Sequence, residues 1–211
     1  MILLRKSNNY NNSINTMKKI LFNPFEKYSE TRLFIFGMAA AVLSTYLSYI
    51  FNARFDGAID MHLVKNITIK QAITDNIINI ASLFATLYAI GFFINKRVRP
   101  IDILNTVLVA RSIYCIMPFT HFAADTLEEF AVKTAKINPL DPAPISFTAT
   151  EIITISIVAL LGIITLIWTI ALLYNGFKTA TNLKTITHKV LFTIAIILAE
   201  VLSILFITAL N

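Results

Sequence analysis

The chain has 211 residues, of which 56% are apolar and only 14% charged, and its mean hydropathy is +0.71. One water-soluble core of this length cannot use so much apolar surface, so a large share must face something other than water. The formal charge of +6 does not point to nucleic acid, because the basic residues cluster beside apolar segments and form no aromatic-interleaved patch. The single cysteine, Cys115, excludes an intramolecular disulfide and a cysteine metal cluster.

Met1 to Thr16 is polar and asparagine-rich, which predicts a disordered tail, and Met17 offers a second plausible start. Lys18 and Lys19 with Leu21, Phe22 and Phe25 suit a segment resting on an anionic bilayer surface, so residues 1–32 read as a cytoplasmic tail with an interfacial basic part. From residue 33 to 211 the pattern predicts an all-α, polytopic transmembrane helix bundle. Its five spans cover Leu33 to Phe51, Ile73 to Ile94, Ile101 to Phe119, Ile152 to Leu173 and Val190 to Leu210. Each approaches or exceeds the roughly 18 to 20 apolar residues needed to cross a hydrocarbon core. A barrel is excluded by the lack of alternation in these runs. Asp75 interrupts the second run near its start. Asn95 to Pro100 is long enough only for a tight hairpin between spans two and three. After span three, Thr126 to Ile137 fits a short amphipathic helix, and Pro139, Pro142 and Pro144 then forbid regular continuation. Pro118 is expected to kink or end the third span, and Asn175-Gly176 to stop the fourth.

Twelve Lys and Arg fall in the N-terminal segment, the 95–99 hairpin and the connection after the fourth span, against five in the two other connections, where most acidic residues also lie. The positive-inside rule then places the N-terminus in the cytosol and Asn211 outside, and the expected location is a bacterial cytoplasmic membrane.

Small residues let helix backbones approach in lipid. Ala81, Ala85 and Ala89 form one such stripe, Ala195, Ala199 and Ser203 a second, and Gly37 with Ala41 a shorter one. Intramolecular packing is their expected use, with homo- or hetero-oligomers through the same helices as the other. Arg111 and Glu200 break the apolar pattern most sharply. Each lies about 15 Å from its span's cytoplasmic end, so the two are expected to form an intramembrane ion pair. On that reading, removing Glu200 alone harms folding more than replacing both partners by apolar residues.

Catalytic signatures are missing. Glu128, Glu129 and Lys133 superficially follow a double-glutamate membrane protease motif, but lysine stands where arginine belongs and the site is a loop. His62 and His121 fall near the outer surface and His188 near the inner one, so no shared metal site is expected. There is no phosphate loop, nucleophile elbow or His-Glu-x-x-His. No enzyme, metal, cofactor or nucleic-acid partner is therefore expected.

Asn23-Pro24-Phe25 before the first span, Ile116-Met117-Pro118-Phe119 ending the third, and Trp168 followed by Ala171 to Phe177 lead to a resemblance. With the order of five closely spaced spans, the chain resembles the Yip family, five-span membrane proteins first known as partners of Ypt and Rab GTPases, in its prokaryotic branch. The resemblance implies a membrane-organising or interaction protein. The Asp-Leu-Tyr-Gly-Pro signature of eukaryotic members is absent, so GTPase binding is not carried over. The function expected is a noncatalytic scaffold contacting membrane lipid or a protein partner. A small transporter or channel using Arg111 and Glu200 is the alternative, with Asn76, Asn79, Ser82, Thr86 and Asn105 as further polar material.

Overall fold

Side chains that lipid would solvate point outward in this molecule and polar ones point inward. Phe93, Val42 and Ile157 are each more than 60% exposed, while Asn79, Thr106 and Ser203 are fully buried. The computed structural model describes residues 17, 19–136 and 146–210. The tail expected over residues 1–16, the prolines at 139, 142 and 144, and Asn211 lie outside the described residues.

Before the bundle, residues 19–22 form a helical turn closed by Asn23 N–H donating to Lys19 O at 2.9 Å, and a 3-10 turn follows at Pro24–Glu26. The helices are α1, Glu30–Ile50; α2, Ile69–Ile94; α3, Pro100–Arg111; α4, Ala124–Ala135; α5, Ala149–Thr181; and α6, Ile186–Leu210. A 3-10 segment, Ser112–Ala123, joins α3 to α4. Between α1 and α2, β1 (Ala53–Arg54) pairs antiparallel with β2 (His62–Leu63), Ala53 opposite Leu63 and Arg54 opposite His62. Among the described residues, five helical stretches are long and apolar enough to cross a membrane, the third running from Pro100 to Ala135. The chain is thus all-α in character and has the make-up of a multi-pass integral membrane protein.

Local chemistry sets the boundaries. Thr68 caps α2 by a capping box: its hydroxyl accepts from Gln71 N–H at 3.2 Å, and the Gln71 side chain accepts from Thr68 N–H at 3.0 Å. This cap starts the second span earlier than the apolar run does and puts Asp75 inside the helix, buried and paired with Arg54 at 2.9 Å. Thr148 and Glu151 cap α5 in the same way. The expected stop at Asn175-Gly176 is corrected, because α5 continues to Thr181 and ends at Asn182, whose φ of 54° is the left-handed cap. Gly176 instead allows close packing, since a Cβ there would lie 2.4 Å from Thr106 Oγ1 and 2.9 Å from Phe25. The third span changes from α to 3-10 winding at Ser112, and Pro118 sits inside the 3-10 stretch. The amphipathic helix expected near Thr126 is α4.

The most extensive helix contact joins α2 to α6, followed by α1 with α3 and α3 with α5. Leu83 and Leu87 of α2, Val107 of α3, Leu173 of α5 and Ala195 and Ala199 of α6 lie in one buried cluster. The stripe of Ala195, Ala199 and Ser203 is fully buried. Ala81, Ala85 and Ala89 are exposed, contrary to the expectation of intramolecular packing. The face of α2 turned inward carries Asn79, Ser82, Leu83, Thr86 and Leu87. In lipid an outward amide or hydroxyl costs more than an outward alanine, so the polar residues decide the rotation of the helix.

Candidate functional site: a loop clasped inside the bundle

The connection between α1 and α2 does not stay at the end of the bundle. Asn52 adopts φ 50°, and the following residues fold back so that Ala53, Phe55, Gly57 and Ala58 are buried. A buried non-helical backbone must have its N–H and C=O groups paired. Side chains of the surrounding helices supply the partners. Ser48 of α1 donates to Ala53 O. Asn79 of α2 donates to Phe55 O at 2.7 Å, and Ser203 of α6 accepts from Ala58 N–H at 2.8 Å. Tyr114, in the 3-10 segment, donates its hydroxyl to Ile59 O.

Arg111 and Glu200 complete the clasp. Arg111 Nη1 donates to Ala58 O, and Glu200 Oε2 accepts from Ile59 N–H at 2.8 Å. Those two acceptor and donor groups belong to one peptide unit. A trans peptide points its C=O and N–H in opposite directions, and no cis bond is present among the described residues. The cation therefore stands at the negative end of a dipole of about 3.5 D and the carboxylate at its positive end. The expected direct ion pair is corrected to a bridged one. The ion pairs among the described residues join other groups, and Arg111 and Glu200 each hold one end of the Ala58–Ile59 peptide. Buried Arg111 and half-buried Glu200 each gain a hydrogen-bond partner, and the Ala58–Ile59 peptide that a direct pair would have left unpaired is satisfied at both ends.

The rest of the guanidinium is enclosed. Arg111 is 5% exposed. Its Nη2 donates to Asn76 Oδ1 at 3.3 Å, and the Asn76 amide donates in turn to Ala41 O at 3.0 Å and Thr45 Oγ1 at 2.7 Å on α1. Phe55 and Tyr114 present their rings 5.7 and 5.5 Å from the guanidinium carbon. Arg111 Nε, Asn79 Oδ1 and Arg54 Nη2 are buried and find no hydrogen-bond partner among the described residues. Gly57 keeps the loop close to α6, since a Cβ there would lie 2.2 Å from Glu200 Oε1 and 2.9 Å from Asp60 Cβ, and the carboxylate would have to move.

Just outside the clasp, Asp56, Asp60 and His62 bring three possible ligand atoms within 4.8 Å of one another. His62 Nδ1 lies 2.9 Å from Asp56 Oδ1, and this hydrogen bond raises the imidazole pKa above its ordinary 6.5. Sequence reading missed the cluster because it compared histidines only with one another. His121 lies beside Phe51 at 5.9 Å between ring centres, and it lines a cavity of about 620 Å³ together with His62 and Glu128. His188 lies in the first turn of α6. Lys133 ties α4 to α5 by bonding Glu151 at the start of α5, while Glu128 and Glu129 are exposed. At the end of the bundle carrying Arg99, a polar cavity of about 320 Å³ holds Glu30, Asp102 and Asn105. Arg99 pairs there with Glu30 at 2.9 Å.

Comparison with known proteins brings no match to a family model, a curated protein or a solved structure.

Proposed function

We propose that the chain is a noncatalytic membrane protein that organises the bilayer or holds a partner, the role its resemblance to the Yip family implies. Its N-terminal segment and the turns at 95–99 and 182–185 face the cytosol and residue 211 the other side. The observation that carries this reading is the use made of the intramembrane charges: Arg111 and Glu200 are engaged with the chain's own Ala58–Ile59 peptide. A substrate pathway needs such groups available to water or ligand. Neither residue lines any of the five cavities in the bundle described by their walls. Orientation draws its support from the twelve basic residues of the N-terminal segment, the 95–99 turn and the stretch from Lys178 to Lys189.

The alternative, transport, draws on the unpartnered Arg111 Nε and Asn79 Oδ1, which a water file would satisfy. The two readings separate by accessibility. In a Cys115→Ser background, a cysteine at Ala110, fully buried beside Arg111, should resist a water-soluble thiosulfonate in native membranes. Crosslinking in the same membranes should recover a protein neighbour on the cytosolic face. Rapid labelling at position 110 would favour transport and remove the scaffold reading.

A further inference from the structure

A groove of about 500 Å³ lies beneath the N-terminal segment, apart from the clasped loop. Its walls are apolar: Ile20, Leu21, Phe36, Val109, Ile113 and Leu172. Trp168 of α5 lines it as well, and Trp168 and Asn175 tie the N-terminal segment to α5. The Trp168 indole N–H donates to Leu21 O at 2.8 Å, the Asn175 amide donates to Phe22 O at 2.8 Å, and the Phe22 and Trp168 rings lie 6.1 Å apart. These bonds satisfy carbonyls that the end of a helical turn leaves open, and they hold the segment across the groove.

Tyr28 and Arg32 also line the groove, at the end where the helices begin. Arg32 is exposed, and among the described residues no carboxylate pairs with it. The acidic groups nearest in sequence are already engaged, Glu26 approaching Lys19 at 4.0 Å and Glu30 meeting Arg99 at 2.9 Å. About one turn of each neighbouring helix completes the wall, Leu33 to Phe36, Val109 to Ile113 and Trp168 to Leu172. The groove thus offers an apolar slot between α1, α3 and α5 with, among the described residues, one unpaired cation, Arg32, in its wall.

An acyl chain with a phosphate at its end has the complementary form. We infer that this groove holds one anionic phospholipid of the leaflet against which the N-terminal segment lies. The acyl chain runs along Phe36, Val109 and Trp168, and the phosphate takes charge-assisted hydrogen bonds from Arg32, with Tyr28 as a second donor. The inference rests on insertion in a membrane and not on the scaffold reading.

Trp168 is the only tryptophan of the chain, so its fluorescence reports on the groove directly. The full chain is placed in phosphatidylcholine vesicles containing a small fraction of phosphatidylglycerol brominated on its acyl chains. Quenching should saturate at low fraction and exceed that by equally brominated phosphatidylcholine roughly fivefold in apparent affinity, the factor one surface arginine gives at an anionic bilayer. Arg32→Gln should abolish the head-group preference and Arg32→Lys restore part of it. Ser112→Phe, which fills the groove, should weaken quenching by both lipids. Equal quenching by the two lipids in the wild type, or a preference untouched by Arg32→Gln, would overturn the inference. So would a preference that appears only after residues 2–16 are removed, since the chain's own tail would then be the occupant. None of these outcomes alters labelling at position 110, which tests the scaffold reading separately.

Discussion

At Arg111 and Glu200, the partner each charge holds changes what mutation should do. A direct buried pair is close to neutral when both members are replaced by apolar residues. Here that replacement leaves Ala58 O and Ile59 N–H without partners. Arg111→Leu combined with Glu200→Leu should therefore lose about 2 to 6 kcal/mol, taking ~1 to 3 for each orphaned buried group, in equilibrium unfolding in detergent. A double variant as stable as the wild type would return the site to a simple ion pair. Gly57→Ala should cost about 1 to 3 kcal/mol by overpacking against Glu200. Outside the clasp, His62 supplies a pH dependence. Its pKa is raised in the folded state by the Asp56 hydrogen bond, so its contribution to stability is fully present below about 6.5 and is lost as pH rises through the folded value. His62→Ala should flatten that part of the stability profile, and an NMR titration should place the His62 midpoint above 6.5. Arg111 and Glu200 were legible in the sequence as charges needing partners, because a charge in an apolar run stands out. Their partner was not legible, because a backbone peptide carries no sequence signature.

Among the elements, α2 shows which of two packing signals prevails. The alanine spacing at 81, 85 and 89 favoured one face, while Asn76, Asn79, Ser82 and Thr86 favoured the adjoining one, and the polar face turned inward. Leucine at Ala85 should consequently change stability by no more than about 0.5 kcal/mol. Leucine at Ala199, fully buried between α6 and its neighbours, should cost roughly 1 to 3 kcal/mol or prevent assembly; thermal unfolding of the purified variants would compare the two. The five spans themselves were readable from apolar length alone. Their ends were less so, because caps at Thr68 and Thr148 and the left-handed Asn182 act through hydrogen bonds and backbone angles, which hydropathy does not record. The N-terminal turn makes its own prediction. Its hold on α5 depends on Trp168 and Asn175 donating to Leu21 and Phe22, so Trp168→Phe should speed limited proteolysis at Lys19 and leave cleavage at Lys65 unchanged.

For the molecule as a whole, the loop between α1 and α2 serves as an interior part that α1, α2, α3, the 3-10 segment and α6 all grip. Nothing in the run Phe51 to Thr68 resembles a core by hydropathy, and the reading of loops as extramembrane therefore missed it. The demand was still visible, since Ser48, Asn79, Arg111, Glu200 and Ser203 are more polar groups than two helices need to bind each other. The grip also orders events at the ribosome. Ser203 and Glu200 lie 145 and 141 residues beyond the amides of Ala58 and Ile59 that they serve. During synthesis the first four spans can enter the bilayer while these two amide hydrogens still lack their acceptors. Arrival of the final helix lets the loop settle, so a nascent chain halted before α6 would display an unfinished interior to the proteases that survey newly inserted proteins.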